Sequence, residues 1–134
     1  MLRLEWAAIY AGVNILILLV LAVLVVAGRR RHNIALGVGD NPDFNRVVRA
    51  HANGAEYIPA GLVGIVLLAL LDPAAPLWLF HSAALSLTAG RILHGIGLNA
   101  GVLNVGRMLG TVLTWVSYLL MGAGLVWAGL SQQL

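Results

Sequence analysis

Residues 6–28 read WAAIYAGVNILILLVLAVLVVAG, without one charged side chain. A bilayer takes about 20 consecutive apolar residues of helix to cross, so this run is a membrane span before anything else. It is too long for a signal-peptide core and runs straight into Arg29, Arg30 and Arg31, which makes it a retained helix. Three more runs follow. YIPAGLVGIVLLALL is short by itself and spans only if its helix starts near Pro42, giving 43–71; the others are 76–96 and 106–130. Composition agrees: the chain is 60% hydrophobic and 10% charged, against about 25% charged in soluble domains. Mean hydropathy is +0.92. The 134 residues suit one domain, 1–134.

The start of the second helix is written in its caps. Asn41 can cap it, Pro42 suits the first helical position, and Asp43 suits the positive end of the helix dipole. The links LDPAAP and LNAGVLNV are short, which favours an antiparallel up-down bundle. The expected fold is an all-α membrane protein, a four-transmembrane-helix antiparallel bundle. All eight basic residues are arginine, and the formal net charge of +3 reports where they sit relative to lipid rather than a nucleic-acid surface. Arg29, Arg30, Arg31, Arg46 and Arg49 flank the first connection and Arg91 and Arg107 the third, while the second carries Asp72 and no basic residue. The positive-inside rule then places connections one and three in the cytoplasm and both termini opposite, with Arg3 the lone dissenter. Trp6, Trp78 and Trp127 lie near span ends, as interfacial aromatics do.

The costly residues lie at the mouth of the second span. Arg46, Arg49, Asn53 and Glu56 follow a spacing that puts them on one helical face, with His51 off it. They could be a solvated helix end with an internal Glu–Arg pair. Against that, Glu56 abuts continuous apolar sequence, where an unpaired carboxylate is expensive and usually functional. Arg91 raises the same problem in LSLTAGRILHGIG, and His94 shares its face. These clusters meet near the cytoplasmic boundary if the helices alternate, and Arg107 opens the fourth span at that level. Guanidinium forks clamp carboxylates, a glutamate accepts from an ammonium, and an asparagine does both jobs, so the set suits a small zwitterionic or anionic solute. No cysteine occurs, which removes disulfides and thiolate metal sites. No phosphate loop, HExxH, nucleophile elbow or carboxylate pair occurs. His51, His81 and His94 read as hydrogen-bonded residues with no metal to hold, and Asn14 as an interhelical hydrogen bond.

The segment NPDFNRVVRAHANGAEYIP resembles the signature of the MAPEG family, the membrane-associated proteins of eicosanoid and glutathione metabolism. The match runs through Asn41-Pro42-Asp43-Phe44, Arg46, Arg49-Ala50-His51, Asn53, Glu56-Tyr57 and Pro59, with a looser likeness over nearly the whole chain. The resemblance implies a homotrimer of four-helix subunits binding glutathione between neighbours near the cytoplasmic face. It implies that Arg49, Asn53, Glu56, Tyr57, Arg91 and His94 contact the tripeptide, that Arg107 activates its thiol, and that Arg30 (or Arg29) adds a basic group after the first helix. The second substrate would be a lipophilic electrophile or hydroperoxide arriving from membrane lipid. Two positions depart from the pattern. Leu98 stands where several family enzymes have tyrosine, and Met108 where the prostaglandin E synthase type has serine, which argues against a specific prostaglandin isomerase. The family also implies an alternative, a non-catalytic lipid-binding or scaffold member. A small transporter would likewise carry ionisable groups in the membrane, but the polar groups cluster at one face with no conduit to the other. The Gly106–Gly110 pattern in GRMLG, which permits close helix approach, joins the resemblance in the expectation of a trimer.

Overall fold

The computed structural model describes residues 2–71, 74–101 and 104–131. Four helices follow in order: α1 Leu2–His32, α2 Pro42–Leu70, α3 Leu77–Ala100 and α4 Val105–Ser131. Each expected span corresponds to a helix, lengthened by a few residues at most ends, because helices continue through the interfacial residues that flank an apolar run. α2 starts as its caps require: the Asn41 Oδ1 accepts from the Phe44 N–H at 2.9 Å, with Pro42 at the first helical position. Asp72, on which the reading of connection two rests, lies outside the described residues.

α2 and α3 each touch the other three helices, whereas α1 packs on α2 and α3 and, among the described residues, not on α4. The core gathers around Ile65, Leu68, Phe80, Ala83, Leu87 and Met121. α3 and α4 approach most closely. Gly90, Gly97, Gly106 and Gly110 face one another across that seam, and a Cβ added at Gly110 would lie 2.6 Å from the Gly90 carbonyl oxygen. This corrects one expectation. The Gly106–Gly110 pair packs against α3 within the chain, and contributes no evidence for contact between chains.

Three helices, α1, α2 and α4, are long and apolar enough to cross a membrane. α3 falls short of the four-span expectation by apolarity, not by its 24 residues. Its polar side chains turn inward: Arg91 and His94 are buried, while Leu77, Leu85, Ile92 and Ile96 face out. A helix of modest average hydropathy can therefore still present hydrocarbon to lipid. Asn14 bridges α1 to α3 as read, donating to Thr88 Oγ1 at 2.8 Å and to the Tyr10 carbonyl at 2.9 Å. His81 also serves the fold, paired with the Tyr10 hydroxyl at 3.1 Å. Trp6, Trp78 and Trp127 are exposed towards the helix ends, where interfacial anchors belong.

Candidate functional site

The end of the bundle that carries connections one and three also carries nearly all of the arginines. Arg29 organises the first connection, its Nη1 donating to the Ala35 and Gly37 carbonyls at 3.1 and 3.2 Å. Its guanidinium lies over the Phe44 ring, 5.7 Å from the centroid. Gly37 and Gly39 take positive φ in this turn, a backbone state that glycine adopts without strain. The connection thus fixes where α2 begins, and with it the position of the polar face.

Beside it lies a polar cleft of about 270 Å3 lined by Pro42, Asn45, Arg46, Arg49, Asn53, His94, Leu98 and Arg107. Three helices contribute: α2 the first five, α3 His94 and Leu98, and α4 Arg107. Three guanidinium groups, two amides and an imidazole converge there, and among the described residues no carboxylate lines it. Arg46 is held by Asp43, Nη2 to Oδ1 at 2.7 Å. Arg107 is set by the turn that opens α4, where its N–H donates to Asn104 Oδ1 at 2.9 Å and Asn104 Nδ2 in turn donates to the Gly97 carbonyl.

Arg91 stands behind this cleft as a buried post. Its Nη1 donates to Asn53 Oδ1 at 2.6 Å, and its Nε to Thr114 Oγ1 at 3.0 Å. Its Nη2 reaches Thr114 Oγ1 at 2.5 Å and the Gly110 carbonyl at 3.4 Å. Its Cζ lies 5.1 Å from the centroid of the Tyr57 ring, which meets Tyr118 edge-on at 5.6 Å. The Tyr118 hydroxyl donates to the Tyr57 carbonyl at 2.6 Å. A charge this deep in apolar surroundings is tolerable because every face of the fork has a partner. One consequence is geometric. With its carbonyl oxygen committed to Arg91, the Asn53 amide is held in one orientation at the cleft wall.

The sequence-derived residues therefore fall into three groups. Arg49, Asn53, His94 and Arg107 line one cleft. Arg91 and Tyr57 lie behind it and hold its wall. Glu56 is exposed on α2 and Arg30 on the last turn of α1, and neither lines the cleft. Thr114 and Gly110, which anchor Arg91, were not legible as site residues: they stand in apolar sequence with no charge to mark them. Arg46 belonged to the polar face, yet only the packing shows it at the cleft. Leu98 occupies the wall where a tyrosine would bring a hydroxyl, and Met108 is exposed outside it, in an apolar trough shared with Arg107, Val112 and Trp115. Among the described residues no group of His, Asp and Glu could hold a metal.

The MAPEG family model matches residues 7–127. The inner membrane protein YecN of Escherichia coli K12 is 31% identical over 122 residues, covering 90% of each chain. YecN of Escherichia coli O6:H1 strain CFT073 matches to the same degree. The family match spans all four helices and the whole polar cleft, and the chain is an integral membrane protein that belongs to the MAPEG family.

Proposed function

We propose that the protein is a glutathione-dependent transferase or peroxidase acting on lipophilic electrophiles or hydroperoxides that reach it through the bilayer. The observation that carries the reading is the convergence of Arg46, Arg49 and Arg107, with Asn53 and His94, on one cleft that no carboxylate lines. Glutathione has two carboxylates, an ammonium and a thiol, and the donor set fits it. Arg46 and Arg49 suit its carboxylates, since a guanidinium fork binds a carboxylate in two parallel hydrogen bonds. Asn53, fixed by Arg91, offers its amide N–H groups. Arg107 opens towards the apolar trough of Met108, Val112 and Trp115, so a thiolate beside it would face the lipid side from which a hydrophobic substrate comes. In a transferase step the sulfur forms a bond to the electrophilic carbon, whose leaving group or π pair takes up the displaced electrons. In a peroxidase step two thiols become a disulfide while the hydroperoxide becomes an alcohol and water.

The site is completed by a second copy in this reading. Arg49 and Glu56 are exposed in the single chain, and a closed trimer with three equivalent interfaces would cover them. Glu56 would then accept from the ammonium, and Arg30 would approach from a neighbour's α1. Connections one and three would face the cytoplasm of an inner membrane, as the arginine bias favours and as the name of the YecN relatives suggests. Native mass spectrometry in mild detergent should give a trimer; a monomer or dimer alone would count against a shared site.

Ligand binding tests the polar face directly. Arg49→Ala and Glu56→Gln should each weaken glutathione binding by about 1.5–3 kcal/mol, the usual worth of a hydrogen bond to a charged group. His51→Ala, off the cleft, should cost far less. Calorimetry ranking His51→Ala as the most damaging of the three would remove the basis for the assignment. The scaffold reading has one observation in its favour, Leu98 in the cleft wall. It wins if the protein binds glutathione without ever forming the thiolate.

A further inference from the structure

On a different face of the bundle, an apolar groove of about 630 Å3 runs between α1 and α3, from Val13 to Leu24 on one side and from Arg91 to Asn99 on the other. At Leu24 and Asn99 it joins a polar pocket of about 380 Å3 lined by Arg31, His32, Asp43 and Arg46 among others. Leu24 and Asn99 line both, so the two form one continuous surface with an apolar stem and a basic head. We propose that this surface binds a single anionic glycerophospholipid, one acyl chain in the groove and the phosphate at Arg31 and Arg46.

Dimensions support the occupant. Val13 to Leu24 is about 16 Å of helix, and one leaflet of hydrocarbon is about 15 Å deep. Leu24 lies about 7.5 Å along α1 from Arg29, so the groove opens just beneath the arginines and runs inward past the middle of the apolar run 6–28. That is the depth of one acyl chain lying alongside the helices, and its volume is in the range of about 300–1,000 Å3 that ligand clefts occupy. Gly95 lines the groove without a side chain, and a Cβ there would come into ordinary contact with Leu21 at 3.4 Å.

Charge supports the anion. Asp43 lines the head pocket, but its carboxylate is paired with Arg46 Nη2, which leaves Arg31, among the described residues, as uncompensated positive charge beside Arg30. Among the described residues, Arg46 Nε is buried without a hydrogen-bond partner, a donor with its desolvation already incurred. Juxtamembrane arginines attract anionic lipid in general; the groove adds a fixed place for one chain. Arg46 stands on the wall between this pocket and the glutathione cleft, whereas Arg31 and the groove lie outside the cleft. The proposal shares Arg46 with the glutathione reading, and its test therefore varies only Arg31 and the groove, which that reading does not use.

The test is retention of lipid by the detergent-purified protein, measured by native mass spectrometry after addition of equal amounts of palmitoyl-oleoyl phosphatidylglycerol and phosphatidylcholine. Phosphatidylglycerol should be retained at least roughly tenfold better, at one per chain. Arg31→Gln should cut that preference roughly fivefold, the effect of one basic group near an anionic headgroup. Val20→Trp and Ile96→Trp place bulk in the groove from positions already exposed, so the fold is kept, and both should lose the bound lipid whatever its charge. Equal retention of the two lipids overturns the proposal, as does phosphatidylglycerol binding untouched by either tryptophan. Oleate displacing phosphatidylglycerol overturns it in favour of a free fatty acid. Tryptophan variants that break the oligomer while keeping their lipid overturn it in favour of a second copy of the chain.

Discussion

Arg107→Ala is expected to retain most of its glutathione affinity while losing the bound thiolate and turnover together. Arg46, Arg49 and Asn53 would still hold the carboxylates and amides of the ligand, because they come from α2 and do not depend on the first turn of α4. The thiol would lose its counter-charge. An adjacent opposite charge lowers a pKa by about one to three units, and each unit is about 1.36 kcal/mol. A thiol near 8.5 in water would then be only about 3% thiolate at neutral pH, and turnover should fall roughly 8- to 30-fold with the thiolate fraction. Lysine at 107 should restore part of the activity, since a compact ammonium supplies charge without the planar fork. The measurement is a pH titration of the bound thiolate's ultraviolet absorbance beside turnover of a generic apolar electrophile. If both are unchanged in Arg107→Ala, Arg107 is only a boundary arginine and Arg30 becomes the candidate.

Gly110→Ala should produce a large loss of stability from a single methyl group. The added carbon would press on the Gly90 carbonyl oxygen and on the backbone of His94. These are main-chain atoms of a packed helix that cannot rotate away. Overpacking of this kind costs about 1–3 kcal/mol, and here the upper end is expected, because α3 and α4 would have to separate along their length. Separation would also pull Thr114 and the Gly110 carbonyl from Arg91, leaving a buried guanidinium short of partners. Gly122→Ala is the control: nothing lies within 4 Å of its Cβ position, and alanine in an open helical position is worth about 0.5–1 kcal/mol over glycine. Thermal unfolding in detergent compares them. Equal midpoints for the two variants would falsify the tight seam between α3 and α4.

The sequence by itself determined the membrane class, the helices and the polar face. Apolar runs of span length leave the backbone no alternative to helix, because within hydrocarbon every N–H and C=O must be satisfied inside the segment. The Asn41-Pro42-Asp43 start is equally local: a cap, a fixed φ and a charge at a dipole end act within one turn. The spacing of Arg46, Arg49, Asn53 and Glu56 follows from helical geometry alone. Only the tertiary structure decided what those residues do to one another. α3 is too polar on average to read as a span with the same force as its neighbours, and it is compatible with lipid only because Arg91 and His94 turn inward. Arg91, a residue of basic type in a basic cluster, reads from the chain as a ligand contact, yet its donors are committed to Asn53, Thr114 and Gly110. The glycines of α4 read as an assembly motif and turned out to pack against α3, since a small-residue stripe says that a helix comes close without saying which one. Hydrogen bonding and close packing between helices 19 to 38 residues apart leave no periodic trace in the sequence, and that is why the cleft wall had to be seen in three dimensions.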